Sequence, residues 1–240
     1  MKKSDIKLIS NGKRIDGRDL DELRPIEMKV DVIDRANGSA KVRFGDTEAI
    51  CSVFGPRVLF PKYLQESETG ILRCRYNMAP FSVDDRKSPA PDRRSVELSK
   101  VIRLCLQPAL FLEDFPKVTI DVYIEVLQAD GSTRVTGINA ASVALADAGV
   151  PMKDLVTACS VGKIDGKLIV DLCGKEDNYG EADMAVAMMP NRKKITLLQM
   201  DGILTKEEII ELMDLAVKSC EKIYEKQKKV LKEKYKRVSE

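Results

Sequence analysis

The stretch LQADGSTRVTGINAASVALADAG, residues 127–149, joins the end of an alternating apolar run to a segment rich in Ala, Ser and Gly. The run before it, residues 117–128, has the period of two that is typical of a strand. The segment after it has the small side chains of a helix that presses close to a sheet. One short turn, residues 131–134, connects the two, so the stretch predicts a strand, a turn and a helix in direct succession.

This turn is a candidate anion site. Backbone N–H groups and the positive end of the helix dipole converge at the start of a helix. Ser132 and Thr133 could add hydroxyl donors, and Arg134 adds a charged, forked guanidinium that suits phosphate oxygens. The alternative is that Ser132 or Thr133 merely caps the helix, which is an ordinary role for these residue types.

The rest of the chain is organised in blocks of strands and helices. Helices are predicted from Arg93, with Pro108 bending or ending the first one, and from the capping box Thr205-x-x-Glu208. Strands are predicted at residues 26–33, 39–44, 47–54, 72–78, 117–128, 158–164, 167–172, 183–189 and 194–201. Blocks without strict βαβ alternation indicate an α+β protein with mixed or antiparallel sheets packed with helices. We expect one domain, 1–240, with its core at about 12–235 and a basic C-terminal tail.

The composition excludes several classes of enzyme. The chain has 240 residues with a net charge of +2, so any nucleic-acid site must be a local basic patch. It contains no histidine, which excludes Ser-His-Asp and Cys-His hydrolases. Six scattered cysteines without a CxxC pair indicate buried free thiols and make a zinc site improbable. Because the N-terminus is charged and no apolar run could span a bilayer, we expect a cytoplasmic protein with no membrane partner.

The window GKEDNYGEADM, residues 174–184, is rich in carboxylates. Asp177 and Asp183 could meet at one sheet edge, where two carboxylates can hold Mg²⁺ or one can stay protonated and act as a general acid. The alternative is a solvated acidic loop between two strands.

Arg93 and Arg94 stand at a predicted helix start, where the macrodipole disfavours cations. An RNA phosphate backbone would explain them, and the alternative is a structural pair of Arg93 with Glu97. Arg57, in a long irregular stretch, is a weaker candidate for contacting RNA. The lysine-rich tail is typical of a solvated surface.

Together with these windows, three further motifs resemble the RNase PH family, and within it the catalytic subunits of exosome-type rings. They are GKRIDGRDLDELRP (12–25), RYNMAPFSVDDRKSPAPDRRSVELSKVIR (75–103) and LLQMDG (197–202). The resemblance implies the RNase PH fold and phosphate-dependent 3′-to-5′ degradation of RNA, releasing nucleoside diphosphates. The missing histidine agrees with this, because inorganic phosphate is already anionic and needs no general base.

The resemblance also implies residue roles. Three residues would bind the co-substrate, inorganic phosphate: Ser132, Thr133 and Arg134. Arg93 and Arg94 would hold RNA phosphates near the 3′ end. Asp177 would be the acid, and Asp183 would support a metal, so that both could hold Mg²⁺. The family turn often has two glycines before its Thr-Arg pair, whereas Ser132 takes the second place here.

The partners implied are the RNA 3′ end, a homologous non-catalytic subunit in a 3+3 hexameric ring, and cap proteins of the S1/KH type. Two other functions compete with the catalytic one. The chain could be a non-catalytic RNA-binding ring subunit, or a stand-alone homohexamer that trims tRNA 3′ ends. Retention of both Asp177 and Asp183 favours catalysis over the first of these.

Overall fold

The computed structural model describes residues 7–10 and 12–237, and its strands form two large sheets and one small hairpin. The hairpin pairs β1 (Ile9–Ser10) with β2 (Lys13–Arg14). The five-stranded sheet has the order β3-β4-β5-β7-β6, and only β6 and β7 run parallel. The four-stranded sheet is antiparallel, in the order β11-β10-β8-β9. The strand bounds are β3 Ile26–Val30, β4 Gly38–Phe44, β5 Thr47–Val58, β6 Ile71–Met78, β7 Val118–Gln128, β8 Thr157–Ile164, β9 Lys167–Val170, β10 Ala182–Met189 and β11 Lys194–Gly202.

Four α-helices accompany the sheets. They are α1 (Arg93–Leu106), α2 (Thr133–Asp147), α3 (Gly174–Tyr179) and α4 (Lys206–Arg237), with short 3₁₀ turns at Lys62–Leu64, Gln107–Ala109 and Leu112–Asp114. Helices α1 and α2 pack on the five-stranded sheet, while α2 and α4 contact the four-stranded one. Among the described residues, no helix is both long and apolar enough to cross a bilayer.

Helix α2 joins the two sheets at the core. All but two of its fifteen residues are buried, and one cluster of buried apolar residues includes members of both sheets. The contact is close: a Cβ on Gly38 of β4 would lie 2.1 Å from the backbone nitrogen of Ala148, just after α2. The small side chains of the 127–149 stretch therefore serve the close packing that was predicted from them.

The α+β class and the mixed sheets are confirmed. Each predicted strand is present, although β3 ends at Val30 and β9 at Val170, because Asp31 and Asp171 adopt left-handed backbone angles with φ of 59° and 57°. Helix α1 ends before Pro108, as expected. The capping box also forms: Glu208 N donates to Thr205 Oγ1 at 3.2 Å.

Residues 174–179, between two predicted strands, form helix α3, for which the sequence showed no signal. The side chain of Glu176 accepts a hydrogen bond from the backbone N–H of Cys173 at 2.9 Å, and this bond begins the helix. The cysteines behave as predicted: all six are free thiols, five are buried and Cys74 is half-buried. The basic tail is largely helical, and Lys234 pairs there with Asp147 at 2.7 Å.

A buried ionic network ties the N-terminal arm to the start of α3. The Arg14 guanidinium bonds the Glu176 carboxylate through two nitrogens, one of them Nε at 2.8 Å, and both side chains are fully buried. Arg24 holds Asp171 in the same bidentate way, at 3.0 and 2.7 Å. The arm therefore fixes the segment from which α3 begins.

We expect Arg14→Met or Glu176→Met to destabilise the fold by about 3–5 kcal/mol, because each leaves an unpaired charge in the interior. The double variant should recover part of the loss, since neither member of the pair is then left buried without its partner. Urea unfolding measures all three. Asp19→Asn, which breaks the exposed Lys13–Asp19 pair, is the control and should change little. A double variant no more stable than the worse single variant would contradict this account.

Candidate active site

A small cleft of about 40 Å³ lies where α1, α2, α3 and the four-stranded sheet meet. Its lining residues come from separate parts of the chain: Arg94, Ser132, Thr133, Arg134, Val135, Ser160, Leu172, Asp177, Asp183 and Ala185. The cleft thus brings together six of the eight residues singled out in the sequence. Arg57 and Arg93 are not among those that line it.

The turn before α2 is held by the segment that precedes α3. Gly131 has φ of 72°, and a Cβ there would lie 2.6 Å from the carbonyl carbon of Cys173. Ser132 is also left-handed, with φ of 54°, and its hydroxyl donates to the Leu172 carbonyl at 2.8 Å and bonds Ser160 Oγ at 2.6 Å. These bonds offset the cost of the left-handed angle, which explains how serine replaces a glycine here.

The capping alternative is wrong for this turn. Ser132 occupies the N-cap position of α2, yet its side chain makes no capping hydrogen bond. The hydroxyl points to the Leu172 carbonyl instead, so the first-turn N–H groups of α2 are not satisfied by Ser132. They are free to bind an external anion at the positive end of the helix dipole.

Thr133 is oriented by a buried phenol. Tyr76, 1% exposed, donates its hydroxyl to Thr133 Oγ1 at 2.9 Å. Burial raises the pKa of Tyr76, which keeps this donor protonated. Because Thr133 accepts from Tyr76, its own hydroxyl proton is available to a ligand.

The Arg134 guanidinium has a hydrogen-bond partner at one nitrogen and, among the described residues, none at another. Its Nη1 donates to Gln199 Oε1 at 2.7 Å, whereas its Nε is buried and has no hydrogen-bond partner within the described part of the chain. A buried donor without a protein partner is costly unless a ligand or an ordered water accepts its hydrogen bond. The guanidinium is therefore prepared for an anion.

Both predicted carboxylates reach the cleft, Asp177 from α3 and Asp183 from β10, and each is half-buried. Burial raises the pKa of Asp177 against the opposing charges of Arg94 and Arg134. The pKa of Asp183 is raised by burial and by the neighbouring Asp177. The solvated-loop alternative is wrong, because the window is folded into α3 and β10 and its Glu176 is fully buried.

The two arginines at the start of α1 have different environments. The cost of their charge is offset by Asp92, whose side chain caps the helix by accepting from Ser95 N at 2.6 Å. A hydrogen bond from Lys87 lowers the pKa of Asp92 to about 2, so this cap stays ionised. Arg93 and Arg94 are both exposed, and Arg94 alone of the two lines the cleft.

The alternative in which Arg93 pairs with Glu97 to stabilise α1 is wrong. Within the described residues, Arg93 forms no ion pair with Glu97. A stabilising ion pair inside the helix therefore does not explain why two arginines stand at its start. Arg57 differs: it binds Asp121, together with Arg73, on the five-stranded sheet. Its contact with RNA stays a prediction.

Sequence reasoning missed Tyr76, Ser160, Gln199 and Asp201. Gln199 and Asp201 lie on β11, where Asp201 stands directly opposite Asp183 of β10. The LLQMDG motif was the signal for them in the sequence. Its Gln199 and Asp201 are two residues apart, so they lie on the same face of a strand. In the described ranges, no group of three or more His, Cys, Asp or Glu side chains is arranged to hold a metal ion.

A helix start without a side-chain cap, an arginine whose Nε has no partner among the described residues and two carboxylates with raised pKa values meet in one cleft of an α+β fold, in line with the resemblance to the RNase PH family. Comparison with known families agrees. The model described as "3' exoribonuclease family, domain 1" matches residues 22–151, and the one described as "domain 2" matches residues 154–219. The chain belongs to the RNase PH family.

Individual relatives are similar over nearly their whole length. The chain is 60% identical to the exosome complex component Rrp41 of Pyrococcus furiosus, covering 100% of this chain and 96% of that protein. It is 51% identical to the Rrp41 of Pyrobaculum calidifontis, covering 100% and 98%.

Two solved structures share the fold. Rice Rrp46 has a TM-score of 0.82 at 24% identity, with 91% of this chain and 100% of that one covered. A chain of the Archaeoglobus fulgidus exosome with RNA bound to the active site has a TM-score of 0.79 at 24% identity, covering 90% and 93%.

Proposed function

We propose that this protein is the catalytic subunit of an exosome-type ring, a 3′-to-5′ exoribonuclease that uses inorganic phosphate and releases nucleoside diphosphates. The observation that carries the proposal is the buried, unpaired Nε of Arg134 beside an uncapped helix start, in the same cleft as two carboxylates with raised pKa values. The identity of 60% to an archaeal Rrp41 supports the same assignment.

The phosphate is held by the turn and by Arg134. The first-turn amides of α2, the Thr133 hydroxyl and the guanidinium supply donors around one point. Ser132 contributes its backbone and not its hydroxyl, because that hydroxyl donates to Leu172. Holding phosphate and RNA in line supplies most of the catalysis in reactions of this type, since the nucleophile is already charged.

The RNA end is placed by Arg94, with Arg93 further from the reacting atoms. A phosphate oxygen attacks the phosphorus that links the last two nucleotides, and the bond from that phosphorus to the 3′ oxygen of the penultimate nucleotide breaks. The terminal nucleotide leaves as a nucleoside diphosphate. The shortened RNA keeps the 3′ oxygen, which needs a proton.

Asp177 donates that proton in the proposed mechanism. Its pKa is raised mainly by burial, so it keeps a proton at higher pH than an exposed aspartate. The pKa of the neighbouring Asp183 is raised as well, first by burial and then by Asp177. A non-catalytic RNA-binding subunit would have little reason to retain both carboxylates.

Asp183, together with Asp177 once that acid has given up its proton, also suits Mg²⁺, which commonly takes one or two carboxylates and completes its shell with water and substrate phosphate. Bound there, Mg²⁺ would neutralise phosphate charge as the reaction proceeds. A site of two carboxylates in the cleft fits this mode of binding, in which substrate supplies the remaining ligands.

A hexameric ring of three such chains and three non-catalytic homologues, with S1/KH-type caps, is proposed from the family. The edge strand β11 supports a protein interface, because its backbone edge is unpaired and it exposes Ile195, Leu198 and Met200. A purified chain that is fully active alone would favour the homohexameric, tRNA-trimming alternative.

The first prediction is that RNA degradation requires inorganic phosphate and yields nucleoside diphosphates, because the turn before α2 and Arg134 form a candidate anion site in the cleft. Chromatography of products from a uniformly labelled RNA, with and without phosphate, checks it. The chain is assayed alone and with a non-catalytic homologue. Nucleoside monophosphates formed without phosphate would establish hydrolysis instead.

Asp177→Asn should lower the single-turnover rate by about 10²–10⁴-fold while RNA still binds, because general acid catalysis is lost. The wild-type rate should fall as pH rises through the raised pKa of the acid. Asp183→Asn should need more Mg²⁺ and recover in part at high Mg²⁺. Asp183 would instead be the proton donor if Asp183→Asn lost activity regardless of the Mg²⁺ concentration while Asp177→Asn kept a rate near that of the wild type.

Arg94→Ala should weaken RNA binding and slow turnover more than Arg93→Ala, because only Arg94 lines the cleft. Both should reduce the salt slope of binding, by about one counterion for each RNA phosphate that the variant no longer neutralises. Titration of labelled RNA at several salt concentrations measures this, with Lys100→Ala on the same helix as a control. Equal effects of the two arginines on turnover would refute the distinction.

A further inference from the structure

Gln199 contacts the phosphate-site arginine from a different sheet strand. Its Oε1 accepts a hydrogen bond of 2.7 Å from Arg134 Nη1. Gln199 is half-buried on β11, directly opposite Ala185 of β10, and Ala185 lines the cleft. The β10–β11 pairing thus brings a neutral acceptor to the guanidinium at the start of α2.

The neutrality of this acceptor matters because carboxylates are close by. Asp177 and Asp183 line the same cleft, yet Arg134 forms no salt bridge with either within the described residues. A guanidinium paired with a carboxylate would be compensated and would hold an anion less strongly. An amide oxygen accepts from the guanidinium without cancelling its charge.

The hydrogen bond between Arg134 and Gln199 also fixes the orientation of the guanidinium. The guanidinium is planar and rigid, so anchoring one terminal nitrogen limits how the other N–H groups can turn. One of these, Nε, is buried and has no protein partner among the described residues. Without Gln199, Arg134 would be free to rotate toward the cleft carboxylates.

We infer that Gln199 is a positioning residue that orients the Arg134 guanidinium for inorganic phosphate without compensating its charge. The inference rests on the proposed function and deepens it, because it makes phosphate affinity depend on a residue of β11. It predicts an effect on phosphate use that is separate from RNA binding.

Gln199→Met keeps the length of the side chain and removes the acceptor, and Gln199→Glu keeps the acceptor but cancels the charge of Arg134. Both should raise the KM for phosphate about tenfold or more, the loss expected for a hydrogen bond to a charged group. The dissociation constant for RNA and the rate at saturating phosphate should change much less. Gln199→Glu should be at least as impaired as Gln199→Met.

Gln107→Met is the matched control, since Gln107 is an exposed glutamine outside the cleft, and it should leave the KM for phosphate unchanged. Thermal unfolding of each variant and calorimetry of phosphate binding accompany the kinetics. A KM for phosphate within about twofold of wild type in a folded Gln199→Met variant would overturn the inference while leaving phosphorolysis intact. A wild-type protein that neither binds nor consumes phosphate would instead refute the proposed function, and the inference with it.

Discussion

The site depends on the buried guanidinium of Arg24. This one side chain donates hydrogen bonds to both segments that build the cleft. It binds the Asp171 carboxylate at 3.0 and 2.7 Å and the Asp130 carbonyl at 2.7 Å. Asp130 immediately precedes the anion-binding turn, and Asp171 precedes the segment that leads into α3. The same two segments touch at Gly131 and Cys173, where there is no room for a Cβ. The turn before α2 and helix α3, which carries Asp177, are therefore held in one fixed relation.

A buried ion pair adds little net stability, since the loss of hydration opposes the Coulomb attraction. The buried ion pairs of Arg14 and Arg24 contribute a fixed orientation of the segments that they join. A cluster of apolar side chains would bury the same surface but would let the turn and α3 slide relative to each other. Bidentate pairs from Arg14 and Arg24 allow one geometry only, and catalysis by positioning loses orders of magnitude when reacting groups shift by about 1 Å.

The parts of this arrangement that were visible in the sequence are those with a local signal. Alternation predicted the strands, a capping box predicted the start of α4, and residue type singled out Arg134, Asp177 and Asp183, which the structure brings into one cleft. Helix α3 was missed because six residues show no helical period, and its start is fixed by a tertiary pair of Glu176 with Arg14. Gln199 was missed because its role arises only from the pairing of two strands with a helix distant in sequence.

The electrostatics of the cleft connect these observations. Arginines beside a carboxylate ordinarily lower its pKa, yet the pKa of Asp177 is raised, so burial outweighs Arg94 and Arg134. The cleft can thus attract anions and keep a proton at the same time. In the proposed function, bound phosphate compensates the arginine charges, which removes the influence that favours the ionised form of Asp177. Binding of the co-substrate therefore strengthens the protonation of the acid that completes the reaction, and the two charged features of the site support one another.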